Sequence, residues 1–184
     1  MKKVYFLIIA TMIAVICFAC TGEKCYWNNK PDAVTGASAK YYFRDNMLRG
    51  KELMALLKNP VKSPTTLFVI TTVRCDGTPN IAIIMPYAID ENTIMLVDGG
   101  TTTRHNLEAT KYARALIRTT DPKHIRKKID PIGNIGSRML LKLIDDEKTI
   151  KKLYEENKGI ATKYMARDYK DCMFLKIVEV YPLG

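Results

Sequence analysis

Two runs of β-branched and aromatic residues stand on either side of an Asp-Gly turn, and they limit the fold more than any other feature. The first run is Thr65–Val73, the second is Asn80–Ile89, and Asp76-Gly77 lies between them. β-Branched and aromatic residues favour extended backbone, and glycine accepts the positive φ that a tight hairpin turn requires. The sequence therefore predicts that the first two strands are antiparallel neighbours.

The rest of the chain alternates further strands with a few helices. Strand-like composition predicts three more strands, at Thr93–Asp98, Ala113–Thr119 and Cys172–Val180. Apolar spacing and capping residues predict helices at Asn46–Lys58, after Thr101-Thr102-Thr103, at Gly136–Leu143, and from Asp145 to just before Gly159. Because most strands follow one another without long crossovers, we expect an α+β, mainly β, domain around an antiparallel sheet or barrel.

Composition sets the class of protein. A chain of 184 residues suits one domain, and 47% hydrophobic with 26% charged residues excludes collagen-like, coiled-coil and low-complexity proteins. The formal charge of +10 raises nucleic acid or an anionic membrane as partners. Part of this charge stands in Lys123–Lys128 without interleaved aromatic residues, so no nucleic-acid partner is expected.

The N-terminus has the layout of an export signal. Lys2 and Lys3 precede the charge-free run Val4–Ala19, which is shorter than the about 20 residues of a membrane-spanning helix. Ala19-Cys20 resembles the cleavage point of bacterial lipoprotein signals, which predicts lipidation of Cys20. Cys17 departs from that pattern, which usually has an aliphatic residue three positions before the lipidated cysteine. An uncleaved N-terminal anchor and ordinary signal-peptidase cleavage remain the alternatives.

These features divide the chain into three parts. Residues 1–19 are expected to form the signal peptide, residues 20–45 a tether without apolar periodicity, and residues 46–184 the domain. Loss of the signal peptide lowers the formal charge to +8, because two lysines leave with it. We expect an exported protein of the cell envelope, held to a bacterial membrane by its lipid.

Conventional catalytic motifs are absent from the sequence. It contains no Gly-x-Ser-x-Gly, His-Glu-x-x-His, phosphate-loop or Cys-x-x-Cys motif. The histidines, His105 and His124, are far from any cysteine pair at metal-binding spacing, so no metal site is expected. Cys25, Cys75 and Cys172 are expected to be free thiols or to form one disulfide.

One segment has the composition of an anion site. Asp98–Asn106 joins a strand to a helix start and carries two glycines, three threonines, Arg104 and Asn106. Helix N-termini attract phosphate through N–H groups that lack intrahelical acceptors, and the arginine fork matches phosphate oxygens. An ordinary capped surface loop has the same composition, and local sequence does not decide between the two.

The order of several segments resembles a known family. Leu67–Val73 is followed by Asp76–Ala82, then by Thr102–Leu107, and then by Tyr112–Ala115. This order resembles the pyridoxamine 5′-phosphate oxidase-like family of FMN-binding split barrels over about residues 46 to 120. The resemblance implies a six-stranded antiparallel split β-barrel with flanking helices, and a homodimer with FMN at its interface.

The resemblance also implies which residues hold the cofactor. The phosphate-holding group would be Thr102, Thr103, Arg104 and Asn106. Val97 and Asp98 would lie near the flavin at a strand end, and the strand segment Asn80, Ala82 and Ile84 would run its backbone along the isoalloxazine. The alternate residues Ile81 and Ile83 would pack inside the barrel. No residue is assigned a catalytic role, because the flavin carries the redox chemistry.

Departures from the family limit the expected activity. Residues 80–89 contain no Arg or Lys, and the chain ends without the substrate-binding Arg and His of the vitamin B6 oxidases, so oxidation of pyridoxamine phosphate is not expected. We expect an FMN-binding oxidoreductase that passes a hydride or electrons to an unknown small acceptor or a partner protein. The alternatives are a non-enzymatic FMN-carrying lipoprotein, and a split barrel that binds haem, a deazaflavin or no cofactor.

Overall fold

Seven strands form one antiparallel sheet in the computed structural model, which describes residues 47–58, 65–97, 101–125 and 130–183. The strands are β1 (Leu67–Val73), β2 (Pro79–Ala82), β3 (Pro86–Ala88), β4 (Thr93–Val97), β5 (Tyr112–Thr120), β6 (Asn134–Leu143) and β7 (Cys172–Tyr181). The α-helices are α1 (Gly50–Lys58), α2 (Thr102–Thr110), α3 (Glu147–Glu156) and α4 (Lys158–Lys163). The expected signal peptide, the tether that begins at Cys20, and Asp98 lie outside the described residues.

The sheet curls into a half-barrel. Its strand order is β2-β1-β5-β6-β7-β4-β3, so β2 and β3 lie at opposite edges. Only Ile83, Ile84 and Met85 separate these two strands along the chain. Since consecutive Cα atoms are about 3.8 Å apart, so short a link holds the two edges close together. The expectation of a mainly β, antiparallel fold with flanking helices is confirmed at this level.

The predicted hairpin is confirmed. β1 and β2 pair antiparallel, with Thr72 opposite Asn80 and Ile70 opposite Ala82. Gly77 has a φ of +85°, which its missing Cβ makes inexpensive. The Asp76 carboxylate accepts hydrogen bonds from the backbone N–H and the hydroxyl of Thr78 at 2.9 and 2.6 Å. These bonds hold the pKa of Asp76 below its usual range.

Two predicted elements are wrong, and correcting them raises the five strands predicted from the residues to seven, one more than the six that the resemblance implies. Gly136–Leu143 is part of β6, not a helix. Its leucines and Met139 suit either structure, but alternate residues are buried in the sheet, and pairing with both β5 and β7 decides for a strand. Asn80–Ile89 is two strands, because Pro86 has no N–H to continue the ladder and starts a new pairing with β4.

Two apolar clusters form the core. The larger lies inside the curl, where α1 and α2 pack onto it, and includes Leu57, Ile70, Leu107, Ile117 and Leu141. The smaller lies on the other face of β4 and β7, beneath α3 and α4, and includes Met95, Tyr154, Ala161 and Phe174. The sheet therefore has a covered inner face and a partly covered outer face.

Helix α3 confirms the prediction of a covering helix after Asp145. Asp146 is its N-cap and accepts hydrogen bonds from the backbone N–H and hydroxyl of Thr149. Tyr154 is buried, and Ile150 and Leu153 pack against the smaller cluster. The sequence suggests that this helix ends just before Gly159. In the structure Gly159 instead lies within α4, which begins after Asn157.

Candidate functional site

The N-terminus of α2 is the centre of the candidate site. Thr101 is the N-cap with extended backbone, and the His105 N–H donates to the Thr101 carbonyl at 3.3 Å. Thr103, Asn106 and Leu107 are buried against the sheet, while Thr102 is exposed and Arg104 is half-buried. The helix therefore turns Thr103 and Asn106 toward the protein and leaves Thr102 facing solvent.

A hydroxyl-amide network joins this helix to the β1–β2 hairpin. The Asn106 Nδ2 donates to Thr72 Oγ1 at 3.0 Å, and the Asn80 Nδ2 reaches the same oxygen at 3.3 Å. Asn80 Nδ2 also donates to Thr103 Oγ1 at 3.2 Å. Thr72, Thr103 and Asn106 are all more than nine-tenths buried. Because buried polar groups are costly when unsatisfied, this network fixes the helix start on the hairpin.

The charge of Arg104 acts on two residues at the start of β7, Asp171 and Cys172. The pKa of Asp171 is held below its usual range by the backbone N–H of Arg167, and the positive charges of Arg167 and Arg104 add to the effect. Burial raises the pKa of the neighbouring Cys172 thiol to about 11, and the charge of Arg104 opposes that rise. Val97 is the register partner of Cys172. The charge of Arg104 thus acts on Asp171 and Cys172, and Val97 is paired with Cys172 in the sheet.

The structure brings some of the predicted residues together and separates others. Asn80 and Asn106 meet at the Thr72 hydroxyl, and Asn80 also donates to Thr103. Ala82 and Ile84 are instead half-buried against the larger core cluster. Their side chains support the curl of the sheet, and nothing in their placement tests whether the backbone here contacts a ligand.

The expectation that Ile81 and Ile83 pack inside the barrel is wrong. Ile81 is 70% exposed and Ile83 is 76% exposed, and the next alternate residue, Met85, is 44% exposed. The phase follows from the hairpin register, which turns Asn80 and Ala82 inward beside Thr72 and Ile70. Ile81, Ile83 and Met85 therefore face outward, while Ala82 and Ile84 face the core.

Thr72 is the residue that sequence reasoning missed. It lies in the β-branched run of β1, where a threonine is read as an ordinary strand former. Only its position opposite Asn80, together with its burial, shows that it links two asparagines. The hairpin register was the available signal, since the Asp76-Gly77 turn places residues 72 and 80 opposite each other.

The described part of the chain contains no group of side chains suited to binding a metal ion. No group of three or more His, Cys, Asp or Glu side chains there could hold a metal ion. Cys75 is exposed in the hairpin turn and Cys172 is buried at the start of β7, and both are free thiols. No described helix has the length and apolar character needed to cross a membrane.

Comparison with known proteins gives structural likeness only. No family model matches the chain, and no curated protein matches it. Among solved structures it is similar to an FMN-binding protein from Syntrophomonas wolfei subsp. wolfei, with 22% identity, a TM-score of 0.47, and coverage of 73% of this chain and 88% of that one.

Two further solved structures show a similar likeness. For a FAD-binding protein from Mesorhizobium loti the identity is 11% and the TM-score 0.48, with 70% of this chain and 92% of that chain covered. For HutZ, a haem storage protein from Vibrio cholerae, the values are 14% and 0.37, with coverage of 74% and 92%. Since all three TM-scores are below 0.5, the function has to be argued from the residues of this chain.

Proposed function

We propose that this chain binds FMN and acts as a flavin-dependent oxidoreductase. One observation carries the proposal. The sequence resemblance assigns Asn80, Thr103 and Asn106 to the cofactor site, and in the structure Asn80 joins Thr103, 23 positions along the chain, and Asn106 in one network around Thr72. Arg104 lies in the same helical turn. The network thus holds the helix start, and Arg104 with it, in position for an anionic group.

The donor set at α2 fits a phosphate. The first turn of an α-helix presents N–H groups that no helical carbonyl accepts, and the helix dipole adds positive potential there. Thr102 is exposed and Arg104 half-buried, so both side chains can reach a ligand from the solvent side. Thr103 and Asn106 face inward, and we assign them to holding the helix start rather than to contacting the phosphate directly.

Bound flavin would supply the redox chemistry by accepting a hydride or electrons and passing them on. The chain supplies binding and the exclusion of water. No described titratable side chain in the Thr72 network would act as an acid or base, because its members are threonines and asparagines. We therefore assign no catalytic residue. The acceptor is a small molecule or a partner protein.

We further propose that two copies form a homodimer through the outward ridge Ile81, Ile83 and Met85. Large apolar side chains exposed side by side are costly in water and mark interaction surfaces. This ridge runs from the edge strand β2 into the link between β2 and β3. A second copy of the same ridge is an apolar surface of matching size, and a dimer would also shield a flavin bound near β2.

At the N-terminus we propose lipidation of Cys20 and attachment to the cell envelope. The proposal depends on the sequence pattern of Lys2, Lys3, the apolar run and Ala19-Cys20. Growth with an alkyne-labelled fatty acid should label the wild-type chain, while Cys20→Ser should carry no label. Equal labelling of both chains would rule out lipidation at this residue.

The test of the flavin proposal is the visible absorption spectrum of the purified chain before and after addition of FMN. Flavin that stays bound through gel filtration, and is then reduced by a nicotinamide and reoxidised by an acceptor, supports the oxidoreductase. Bound flavin that does not turn over with any donor and acceptor indicates a carrier instead. A chain that takes up haem but no flavin would overturn the proposal, with the exposed His105 as a candidate axial ligand.

A further inference from the structure

Three arginines lie on the outer face of the sheet, on β5 and β6. The register places Leu116 opposite Arg138, and Arg114 and Arg118 are the neighbours of Leu116 on the same face of β5. These alternate residues are half-buried or exposed, while those between them are buried. Diagonal neighbours across two strands lie about 7–8 Å apart. The three arginines therefore stand near one another on this face, which we call the arginine patch.

Asn134 and the buried Asp130 hold Arg118 in place through hydrogen bonds. Its Nε donates to Asn134 Oδ1 at 2.5 Å, and Asn134 in turn donates from Nδ2 to Asp130 Oδ1 at 2.8 Å. The backbone N–H groups of Asn134 and Gly133 also donate to the Asp130 carboxylate, at 2.6 and 3.1 Å. Asp130 is 6% exposed. Because a carboxylate only accepts, it fixes the asparagine with its amide oxygen toward Arg118.

Arg138 is held in a similar way. Its Nε donates to the Pro182 carbonyl at 2.7 Å, another neutral acceptor. Neither Arg118 nor Arg138 takes part in a salt bridge among the described residues. Both are half-buried, and a partly desolvated cation gains from an anionic partner. With Nε occupied, the terminal N–H groups of each fork are left for another acceptor.

The acid on this face is already engaged. Glu179 lies opposite Leu140 on β7 and accepts a hydrogen bond from the Tyr181 hydroxyl. Burial and this bond raise the pKa of Tyr181 to about 12, and the charges of Arg114 and Arg138 oppose the rise. The Tyr181 hydroxyl therefore lies within reach of the charges of Glu179, Arg114 and Arg138.

We propose that Arg114, Arg118 and Arg138 form a binding site for a phosphoryl group, carried by a free phosphorylated molecule or by a lipid headgroup. Several arginine forks on one surface offer more N–H donors than a carboxylate has oxygens, whereas phosphate and pyrophosphate can use them. The site does not depend on the proposed flavin function, because none of the three arginines is assigned to FMN.

The first test is calorimetric titration of the full chain with inorganic pyrophosphate at low salt. Arg118→Gln and Arg138→Gln should each weaken binding about tenfold, the loss of one charge-assisted hydrogen-bonding group. Arg49→Gln removes the same charge from an exposed position outside the sheet and should change binding less than about twofold. Wild-type chain that binds no pyrophosphate, or equal weakening by all three variants, removes the free-ligand form of the proposal.

The second arm identifies the source of the phosphoryl group. The chain is floated with phosphatidylcholine vesicles, with and without about one fifth phosphatidylglycerol. Phosphatidylglycerol-dependent flotation that Arg118→Gln and Arg138→Gln abolish, but Arg49→Gln does not, assigns the site to a headgroup. Pyrophosphate binding without this dependence assigns it to a free ligand. The proposal is overturned when neither probe distinguishes the patch variants from Arg49→Gln.

Arg118→Lys separates a loss of binding from a loss of folding. Lysine keeps the charge but loses the planar fork and the Nε bond to Asn134. If Arg118→Gln fails to fold by circular dichroism, the lysine variant should still bind pyrophosphate several-fold more weakly than wild type. Unchanged affinity in a folded Arg118→Lys variant would overturn the role of the fork.

Discussion

The side-chain amide of Asn106 donates to the hydroxyl of Thr72 across 3.0 Å, and this bond ties α2 to β1. The two residues are more than nine-tenths buried and 34 positions apart in the sequence. Asn80 donates to the same hydroxyl from the neighbouring strand. The start of α2 is therefore positioned by side chains on the hairpin.

Thr72→Val should lower the free energy of unfolding by about 1–3 kcal/mol at nearly unchanged volume, because the buried Asn106 amide loses its acceptor on β1 and Asn80 keeps only Thr103. Thr72→Ser keeps the hydroxyl and should recover much of that loss. Urea unfolding followed by circular dichroism measures both. If Thr72→Val is as stable as the serine variant, the network contributes nothing to stability.

Gly136→Ala should destabilise the chain severely, by about 3 kcal/mol or more. A Cβ at Gly136 would lie 2.1 Å from the Ile117 carbonyl oxygen, which is part of the β5 backbone, and its φ is +152°. Gly159→Ala is the matched control, since nothing lies within 4 Å of its Cβ position in α4. That control should gain up to about 1 kcal/mol from helix propensity. Similar unfolding midpoints for the two variants would contradict the pairing of β5 with β6.

Helix α3 should lose its N-cap in acid. The side-chain hydroxyl and backbone N–H of Thr149 hold the pKa of Asp146 below its usual value of 3.8. A lowered pKa in the folded state means that the cap stabilises fully above pH 3.8, and that this contribution disappears as the pH falls through the folded-state pKa.

Chemical unfolding at a series of pH values, with Asp146→Asn as reference, tests the cap. Asparagine caps a helix without titrating near this range. The stability difference between wild type and variant should move in favour of asparagine as the pH falls from about 5 to about 2. A difference that stays constant over this range would show that Asp146 has the same pKa in the folded and unfolded chain.

The outward ridge should control association. Ile81→Ser with Ile83→Ser removes two large apolar side chains that the folded protomer hardly contacts, being 70% and 76% exposed. Sedimentation velocity of the wild type should show a dimer, and the double variant should shift toward monomer without loss of stability. A monomeric wild type, or an unaffected dimer, would contradict the proposed interface. Met165→Ser, another exposed apolar residue, is the control and should leave association unchanged.

Local sequence signals predicted the hairpin and the start of α3 well, because a turn residue stands in the first and a cap at the second. Asp76-Gly77 sets the β1–β2 register, and Asp146 starts α3. They failed at Gly136–Leu143, where good helix formers are held as a strand between two partners. Propensity is weak compared with such tertiary pairing.

The candidate site was only partly predictable for a related reason. The resemblance named Asn80, Thr103 and Asn106, and the structure joins them, but the direction of each side chain follows from register and helix phase. One residue of phase separates an inward Ala82 from an outward Ile81. Composition and motif order do not fix that phase.

The most direct test of the central claim compares FMN with riboflavin, which differ only in the phosphate. Titration of the wild-type chain by flavin fluorescence should give tighter binding of FMN. Arg104→Ala should weaken FMN about tenfold or more while changing riboflavin little, because only FMN carries the group that the guanidinium contacts. Arg49→Ala should leave both affinities unchanged. A wild-type chain that binds neither flavin, or an Arg104→Ala variant that weakens both equally, would contradict a phosphate site at the start of α2.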